Sequence, residues 1–152
     1  MNILNEQIRS FLEEEDLIAA LGNISACIMM SWENLNWAGF YLVKNGELVL
    51  GPFQGKPACT HIPFDKGVCG KCLREAAPQR VDDVLAFPGH IACDADSRSE
   101  LCIPIIVNGQ VAGEIDLDAP VPSRFSEEDE KIMIRAAQDI ASAWTDHDWS
   151  YR

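Results

Sequence analysis

Two Asn-Gly dipeptides, each set between apolar runs, constrain the fold more than any other feature of the sequence. Asn-Gly favours the type I′ turn of a two-residue β-hairpin. The runs around Asn45-Gly46 are Trp37–Lys44 and Glu47–Leu50, and those around Asn108-Gly109 are Leu101–Val107 and Gln110–Asp118. The sequence therefore predicts two antiparallel hairpins.

Helical patterns lie at both ends of the chain. Residues 3–14 and 16–32 are predicted as helices, and the second carries an apolar stripe of Leu17, Leu21, Ile24 and Ile28. A C-terminal helix begins at Ser126, which forms a capping-box variant with Asp129, and its buried stripe is Met133, Ala137, Ile140 and Trp144. Between the hairpins, a short helix is predicted over Val68–Ala77 and a short strand over Arg80–Val84. The expected fold class is α+β, with a central antiparallel sheet covered by the terminal helices, and residues 1–152 are expected to form a single domain.

The charge of the chain narrows the classes of partner. The 152 residues include 12 basic and 24 acidic side chains, which give a net charge of −12. Binding to nucleic acid or to an anionic membrane is not expected, because both need clustered Lys and Arg. No apolar run approaches the roughly 18 residues of a membrane span, and the N-terminus does not resemble a signal peptide, so we expect a cytoplasmic protein.

Acidic side chains share one face of the last predicted strand. Ile115 and Leu117 point to one side, whereas Glu114, Asp116 and Asp118 point to the other. Asp116 and Asp118 lie about 7 Å apart at roughly 3.4 Å per residue. They could hold a cation or a proton, or they could form a solvated strand face, and the pattern alone favours the solvated face.

The six cysteines are not expected to form a permanent disulfide framework, because a reducing compartment keeps thiols free. Cys27 and Cys102 lie in apolar runs and are predicted to be small buried side chains. Four others fall in the Gly- and Pro-rich middle segment: Cys59, Cys69, Cys72 and Cys93. Such a cluster fits thiol redox chemistry or a zinc site, for which His61 and His90 could add nitrogen ligands. Only Cys69-x-x-Cys72 has ligand spacing, and one such pair is a weak signal, so no metal is expected.

Several blocks, taken together and in order, carry a resemblance to a known family. They are NLNWAGFYLV, LVLGPFQGKPACT, IPFDKGVCG, QRVDDV, FPGHIACDADSRSE and GEIDLDAP. The sequence resembles the free methionine-(R)-sulfoxide reductases, which are stand-alone GAF domains. The resemblance runs from about Asn34 to Phe125 and implies a GAF-like fold.

The resemblance also implies roles for particular residues. Cys93 of GHIACD corresponds to the nucleophile, Cys59 of GKPAC to the main resolving thiol and Cys69 of GVCG to an auxiliary one. Residues implied to contact substrate are Glu100, Asp116 and Asp118, with Trp37 and Tyr41 as pocket walls. Cys72 departs from the family pattern, which allows either a local Cys69–Cys72 disulfide or a surface substitution.

The activity implied by the resemblance is thiol-dependent reduction of free L-methionine-(R)-sulfoxide to L-methionine. It would proceed through a cysteine sulfenic acid and an intramolecular disulfide, without a cofactor, and a thioredoxin-like reductant would recharge the enzyme. A homodimer is compatible with the resemblance. The alternatives are a non-catalytic GAF sensor of a small molecule, against which the chain has no room for an output domain, and a zinc-stabilised interaction module.

Overall fold

Six strands form one antiparallel sheet in the computed structural model, which describes residues 2–91 and 93–150. The strands are β1 (Trp37–Lys44), β2 (Glu47–Gly55), β3 (His61–Ile62), β4 (Gln79–Val81), β5 (Ser99–Val107) and β6 (Gln110–Ala119). Their order across the sheet is β3-β2-β1-β6-β5-β4. Both predicted hairpins are confirmed: each Asn-Gly turn has positive φ at both residues, 54° and 77° at Asn45-Gly46 and 52° and 78° at Asn108-Gly109. β2 continues five residues past the predicted Leu50, to Gly55.

Four helices accompany the sheet in the part of the chain that is described. They are α1 (Ile3–Phe11), α2 (Leu17–Ser31), α3 (Gly67–Glu75) and α4 (Glu127–Asp146). The capping box of Ser126 and Asp129 is present at the start of α4, as predicted. The strand predicted over Arg80–Val84 ends earlier, at Val81, because the Asp83 side chain accepts a hydrogen bond from the backbone of Leu85 and begins a 3-10 turn at Val84. None of the helices within residues 2–91 and 93–150 is long and apolar enough to cross a membrane.

One face of the sheet carries the main hydrophobic core. Helix α2 packs on β1 and β2, and α4 packs on β5, so the terminal helices cover this face as the sequence predicts. The inward side chains alternate along the three central strands. They are Ala38, Phe40 and Leu42 from β1, Leu101, Ile103 and Ile105 from β5, and Ile115 and Leu117 from β6. All four residues of the stripe predicted on α4 belong to the same core.

The opposite face of the sheet is the one that matters for function. It is covered by α3, which packs against β5 and β6, and a second apolar cluster forms there. That cluster includes Trp37, Tyr41, Cys69, Cys72 and Cys102. Since the side chains on this face include acids and thiols as well as aromatic rings, it is a candidate for chemistry rather than a simple core.

Candidate active site

Strand register brings the acidic and aromatic side chains onto neighbouring positions. Residues directly opposite each other in adjacent strands point to the same face of a sheet. Across β1, β6 and β5 the register forms three rungs: Trp37–Asp118–Glu100, Gly39–Asp116–Cys102 and Tyr41–Glu114–Pro104. Five of the predicted site residues therefore project from three adjacent strands: Trp37, Tyr41, Glu100, Asp116 and Asp118.

A cavity lies between this face and the segment that precedes β5. Its walls combine aromatic, acidic and sulfur-containing groups with loop residues. The lining residues are Trp37, Tyr41, Ala58, Ile62, Gly67, Val68, Cys69, His90, Ile91, Cys93, Asp94, Ser97, Glu100, Asp116 and Asp118. Seven of the eight predicted site residues line it, and the eighth, Cys59, is covalently joined to one that does.

The carboxyl groups on this face are not a solvated strand face, so the interpretation that the pattern favoured is wrong. Glu114, Asp116 and Glu100 are only 0%, 4% and 8% exposed, because α3 covers their side of the sheet. Burial, followed by the charges of Asp116 and Asp118, raises the pKa of Glu100 well above its ordinary value. Burial and the Asp116 charge likewise raise the pKa of Asp118. The group therefore favours retaining a proton at pH values above the ordinary carboxyl pKa.

Asp116 is the group most suited to remain ionised. Burial raises its pKa, but hydrogen bonds from Glu100 and Cys69 oppose that rise by favouring the carboxylate. Its Oδ1 atom is buried and has no hydrogen-bond partner among residues 2–91 and 93–150, although the side chain lines the cavity. An unpaired acceptor in this position is available to a cationic or donor group of a ligand.

A disulfide closes one side of the cavity. Cys59 and Cys93 are joined, with their Cα atoms 5.4 Å apart, and both residues are half-buried. The hydroxyl of Tyr41 donates to the carbonyl oxygen of Cys59 at 2.9 Å, and the indole N–H of Trp37 donates to the carbonyl oxygen of Lys56 at 3.2 Å. Both aromatic walls thus also hold the backbone that carries Cys59.

Asn36 is a structural contributor that the sequence analysis missed. Its side-chain amide donates to Asp94 Oδ2 and to Ser97 Oγ, each at 3.0 Å, and so fastens the segment after Cys93 to the start of β1. The available signal was a polar residue directly before a buried strand. Asp94 and Ser97 also line the cavity, so this network shapes the site.

The other middle-segment cysteines take a different place. Cys69 and Cys72 lie on α3, are buried and carry free thiols, so Cys72 is neither a surface substitution nor part of a local Cys69–Cys72 disulfide. Cys69 Sγ donates to Glu100 Oε2 at 3.5 Å. The Cys102 hydrogen bond lowers the pKa of the Cys69 thiol, but burial and nearby carboxylates outweigh it, and the net pKa is raised. Cys69 is therefore a poorer nucleophile at rest than an unperturbed thiol.

The prediction that Cys27 and Cys102 are buried is confirmed, but only Cys27 lies in the main core. Cys102 faces the acidic side of the sheet, which the alternation of β5 between Glu100 and Leu101 could have indicated. A zinc module built on the four middle-segment cysteines is not formed, because Cys59 and Cys93 pair with each other. His61 is exposed beside Glu47 at 2.8 Å, away from these thiols.

Comparisons with known proteins agree with this geometry. The model of the GAF domain family matches residues 29–145. The free methionine-R-sulfoxide reductase of Escherichia coli (strain K12) is 48% identical over 118 residues, which cover 78% of this chain and 72% of the relative. The chain belongs to the free methionine-R-sulfoxide reductase family.

Solved structures of free methionine-R-sulfoxide reductases superpose on the whole fold. The structure of fRMsr of Staphylococcus aureus in complex with substrate has a TM-score of 0.88 and 44% identity, and the match covers 93% of each chain. The free methionine-R-sulfoxide reductase of Neisseria meningitidis in complex with its substrate has a TM-score of 0.92 and 37% identity, over 95% of this chain and 88% of the other. The GAF-like fold expected from the resemblance is confirmed.

Proposed function

We infer that the chain reduces free L-methionine-(R)-sulfoxide to L-methionine by thiol chemistry. Its family membership and the substrate complexes of its structural relatives support this activity. The observation that carries the mechanism is the Cys59–Cys93 disulfide beside a cavity walled by buried carboxyl groups. This is the state expected after one turnover and before recharging.

We assign Cys93 as the nucleophile of the first chemical step. Its thiolate attacks the sulfoxide sulfur, the S–O bond breaks, and the oxygen is transferred to Cys93 as a sulfenic acid when one proton is added. Methionine leaves as the reduced thioether. Cys93 is the disulfide partner that lines the cavity, which supports its assignment as the residue that meets the substrate.

The second step assigns Cys59 as the main resolving thiol. Its sulfur displaces hydroxide from the Cys93 sulfenic acid, and with one proton this forms the disulfide and water. The Tyr41 hydrogen bond to the Cys59 carbonyl holds the resolving residue near its partner. Cys69 is assigned as an auxiliary thiol, and its raised pKa makes it slower than Cys59.

The carboxyl groups have two roles, which are proton donation to the departing oxygen and binding of the substrate ammonium. Glu100, with its raised pKa, donates a hydrogen bond or proton to the departing oxygen. Asp116, with Oδ1 unpartnered in the described chain, accepts the substrate ammonium together with Asp118. Trp37 and Tyr41, whose ring centroids are 5.9 Å apart, form the walls against the methionine side chain.

Recharging requires an external dithiol. The disulfide is half-buried rather than enclosed, so a thioredoxin-like protein can present a thiolate to it. We propose such a reductant, a cytoplasmic setting, and a single GAF-like domain over residues 1–152 that works without a cofactor. The mass in solution tests for a homodimer, because a dimer would have twice the 16.8 kDa mass of one chain.

The decisive experiment couples NADPH oxidation to thioredoxin reductase, thioredoxin and each pure epimer of methionine sulfoxide. We expect turnover of the free (R) epimer alone. Cys93→Ser should abolish methionine formation even with dithiothreitol, since the other thiol that lines the cavity, Cys69, has a raised pKa and is a poor nucleophile. Cys27→Ser, which removes a buried thiol on the other side of the sheet, is the matched control and should retain activity. Residual turnover by Cys93→Ser would refute the assignment.

A further inference from the structure

Three buried thiols and one buried carboxyl group converge next to the substrate cavity, and the proposed reaction uses only one of them. Cys69 and Cys72 are three residues apart on α3 and therefore share a helix face. Cys102 comes from β5 and Glu114 from β6. The exposed fractions of Cys69, Cys72, Cys102 and Glu114 are 4%, 0%, 0% and 0%, so the whole group is shielded from water.

The atoms of this thiol–carboxylate cluster are close enough to share a ligand. Cys102 Sγ lies 3.7 Å from Cys69 Sγ and 2.9 Å from Glu114 Oε1. The ligand atoms of Cys69, Cys102 and Glu114 all lie within 4.8 Å of one another. Cys72 is one helical turn along α3 from Cys69, is buried and lies in the same side-chain cluster. One helix and two strands thus bring three donors to one point, and Cys72 lies beside them as a fourth candidate.

Glu114 adds an independent observation. Its Oε2 atom is buried and has no hydrogen-bond partner in residues 2–91 and 93–150. A buried acceptor without a partner is destabilising, and native structures satisfy such atoms with protein groups, water or an ion. The hydrogen bond from Cys102 is accepted by Oε1, so Oε2 is the oxygen that can bind a further group.

We propose that Cys69, Cys72, Cys102 and Glu114 form a binding site for a divalent zinc-type cation. Tetrahedral zinc with Zn–S bonds of about 2.3 Å separates two sulfur ligands by about 3.8 Å. The observed Cys69–Cys102 separation of 3.7 Å matches that edge. With a Zn–O bond of about 2.1 Å the sulfur–oxygen edge is about 3.6 Å, against 2.9 Å observed between Cys102 Sγ and Glu114 Oε1, so Glu114 moves outward by roughly 0.7 Å or binds through Oε2.

The chemistry of the donors selects the cation class. Three thiolates with one carboxylate suit zinc and exclude magnesium or calcium, which prefer oxygen ligands throughout. Binding displaces the thiol protons and changes no oxidation state. The site adjoins Glu100, which accepts a hydrogen bond from Cys69. A bound ion would therefore make Cys69 unavailable as the auxiliary thiol and would leave the Cys59–Cys93 disulfide intact. The proposal does not depend on the proposed enzymatic activity.

The test is zinc binding to the reduced, chelator-treated full chain, measured by equilibrium dialysis and elemental analysis. We expect about one zinc per chain, retained in the double variant Cys59→Ser/Cys93→Ser. Cobalt(II) loading should give the near-ultraviolet charge-transfer absorption of thiolate ligands. Cys102→Val should weaken binding at least about 100-fold, and the isosteric Glu114→Gln about tenfold or more, by analogy with the 10–100-fold losses at supporting residues of metal sites.

Cys27→Ser is the control, because it removes a buried thiol outside the cluster, and it should bind zinc as the wild type does. Far-ultraviolet circular dichroism identifies variants that fail to fold. If Cys102→Val is one of them, zinc binding by Glu114→Gln, which keeps the side-chain shape, decides between the outcomes. The proposal is overturned if reduced wild type binds less than about one tenth of an equivalent at micromolar zinc, which corresponds to a dissociation constant about tenfold above that concentration. It is also overturned if Glu114→Gln binds as tightly as wild type, or if only the Cys59→Ser/Cys93→Ser change removes binding.

Discussion

Asp116→Asn tests whether the buried carboxyl groups bind the substrate ammonium. The substitution keeps the shape of the side chain but removes its charge and replaces one acceptor oxygen with an N–H donor. Asp116 is 4% exposed, and its unpartnered Oδ1 in the described chain belongs to a side chain that lines the cavity. A substrate ammonium placed there would make a charge-assisted hydrogen bond in a site with little water.

The magnitude follows from that geometry. Hydrogen bonds to charged groups contribute about 1.5–3 kcal/mol. At about 1.4 kcal/mol per factor of ten, losing one lowers kcat/KM by roughly 10- to 100-fold. If Asp116 only holds the ammonium, the loss should fall mainly on KM. A parallel fall in kcat would indicate that its hydrogen bond with Glu100 also tunes the acid at the departing oxygen.

The assay is initial-rate kinetics with free methionine-(R)-sulfoxide and dithiothreitol, which removes any dependence on a protein reductant. Asp82→Asn is the matched control, because it makes the same chemical change at an exposed position and should leave the kinetics unchanged. If Asp116→Asn stayed within twofold of wild type in kcat/KM, Asp116 would not contact the substrate and the ammonium would have to bind elsewhere.

Three further predictions address the relay, the pocket and the buried acids. Cys59→Ser should yield about one methionine per chain in a single turnover yet turn over poorly with thioredoxin, since attack precedes resolution; peptide mapping that links Cys93 chiefly to Cys72 would contradict this relay. N-acetyl-methionine-(R)-sulfoxide should be reduced at least about a thousandfold less efficiently than the free amino acid, because acylation leaves a desolvated carboxylate unpaired; equal rates in methionine-release assays would rule out ammonium recognition. Asp118 has a raised pKa in the fold, so between its unfolded and folded pKa values the native state retains a proton that the unfolded chain has lost, and stability falls as pH rises. The melting temperature should therefore drop as the pH rises above the ordinary Asp pKa of about 3.9, less steeply in Asp118→Asn than in Asp82→Asn, and equal slopes in the two variants would argue against a raised pKa of Asp118.

The sheet could be predicted from sequence because its signals are local. Each Asn-Gly turn sets the pairs next to it, such as Val107 with Gln110, but a bulge between Ile105 and Ile106 shifts the register by one residue before the acids, and the sequence did not predict that shift. The alternation of Ile115 and Leu117 with the acids likewise assigned the two faces of β6. The sequence did not determine which face of the sheet would be shielded from water. That depends on how α3, a short helix distant in the chain, packs over the acids.

The environments of Cys72 and Asn36 also could not be predicted, because they depend on contacts between distant parts of the chain. No local pattern distinguishes a cysteine on the exposed side of a short helix from one pressed against β5, and the exposure of Cys72 depends entirely on how α3 is oriented. Asn36 acts through hydrogen bonds to Asp94 and Ser97, more than fifty residues away. A polar residue before a buried strand could indicate a structural role, but its partners could not be identified from a single sequence, because the loop that supplies them has no periodicity of its own.

The placement of the thiols separates an accessible disulfide pair from a group of buried free thiols within one small domain. Cys59 and Cys93 lie on loops, half-buried and joined, where a reductant can reach them. Cys69, Cys72 and Cys102 lie on a helix and a strand, fully packed, where burial raises the pKa of the Cys102 and Cys72 thiols and keeps them protonated. Thiol–disulfide exchange requires a thiolate and access to a disulfide sulfur, so the buried group reacts more slowly than Cys59, and Cys69, which lines the cavity, has only an auxiliary role. The relay can therefore run through one pair of cysteines in a chain that contains six.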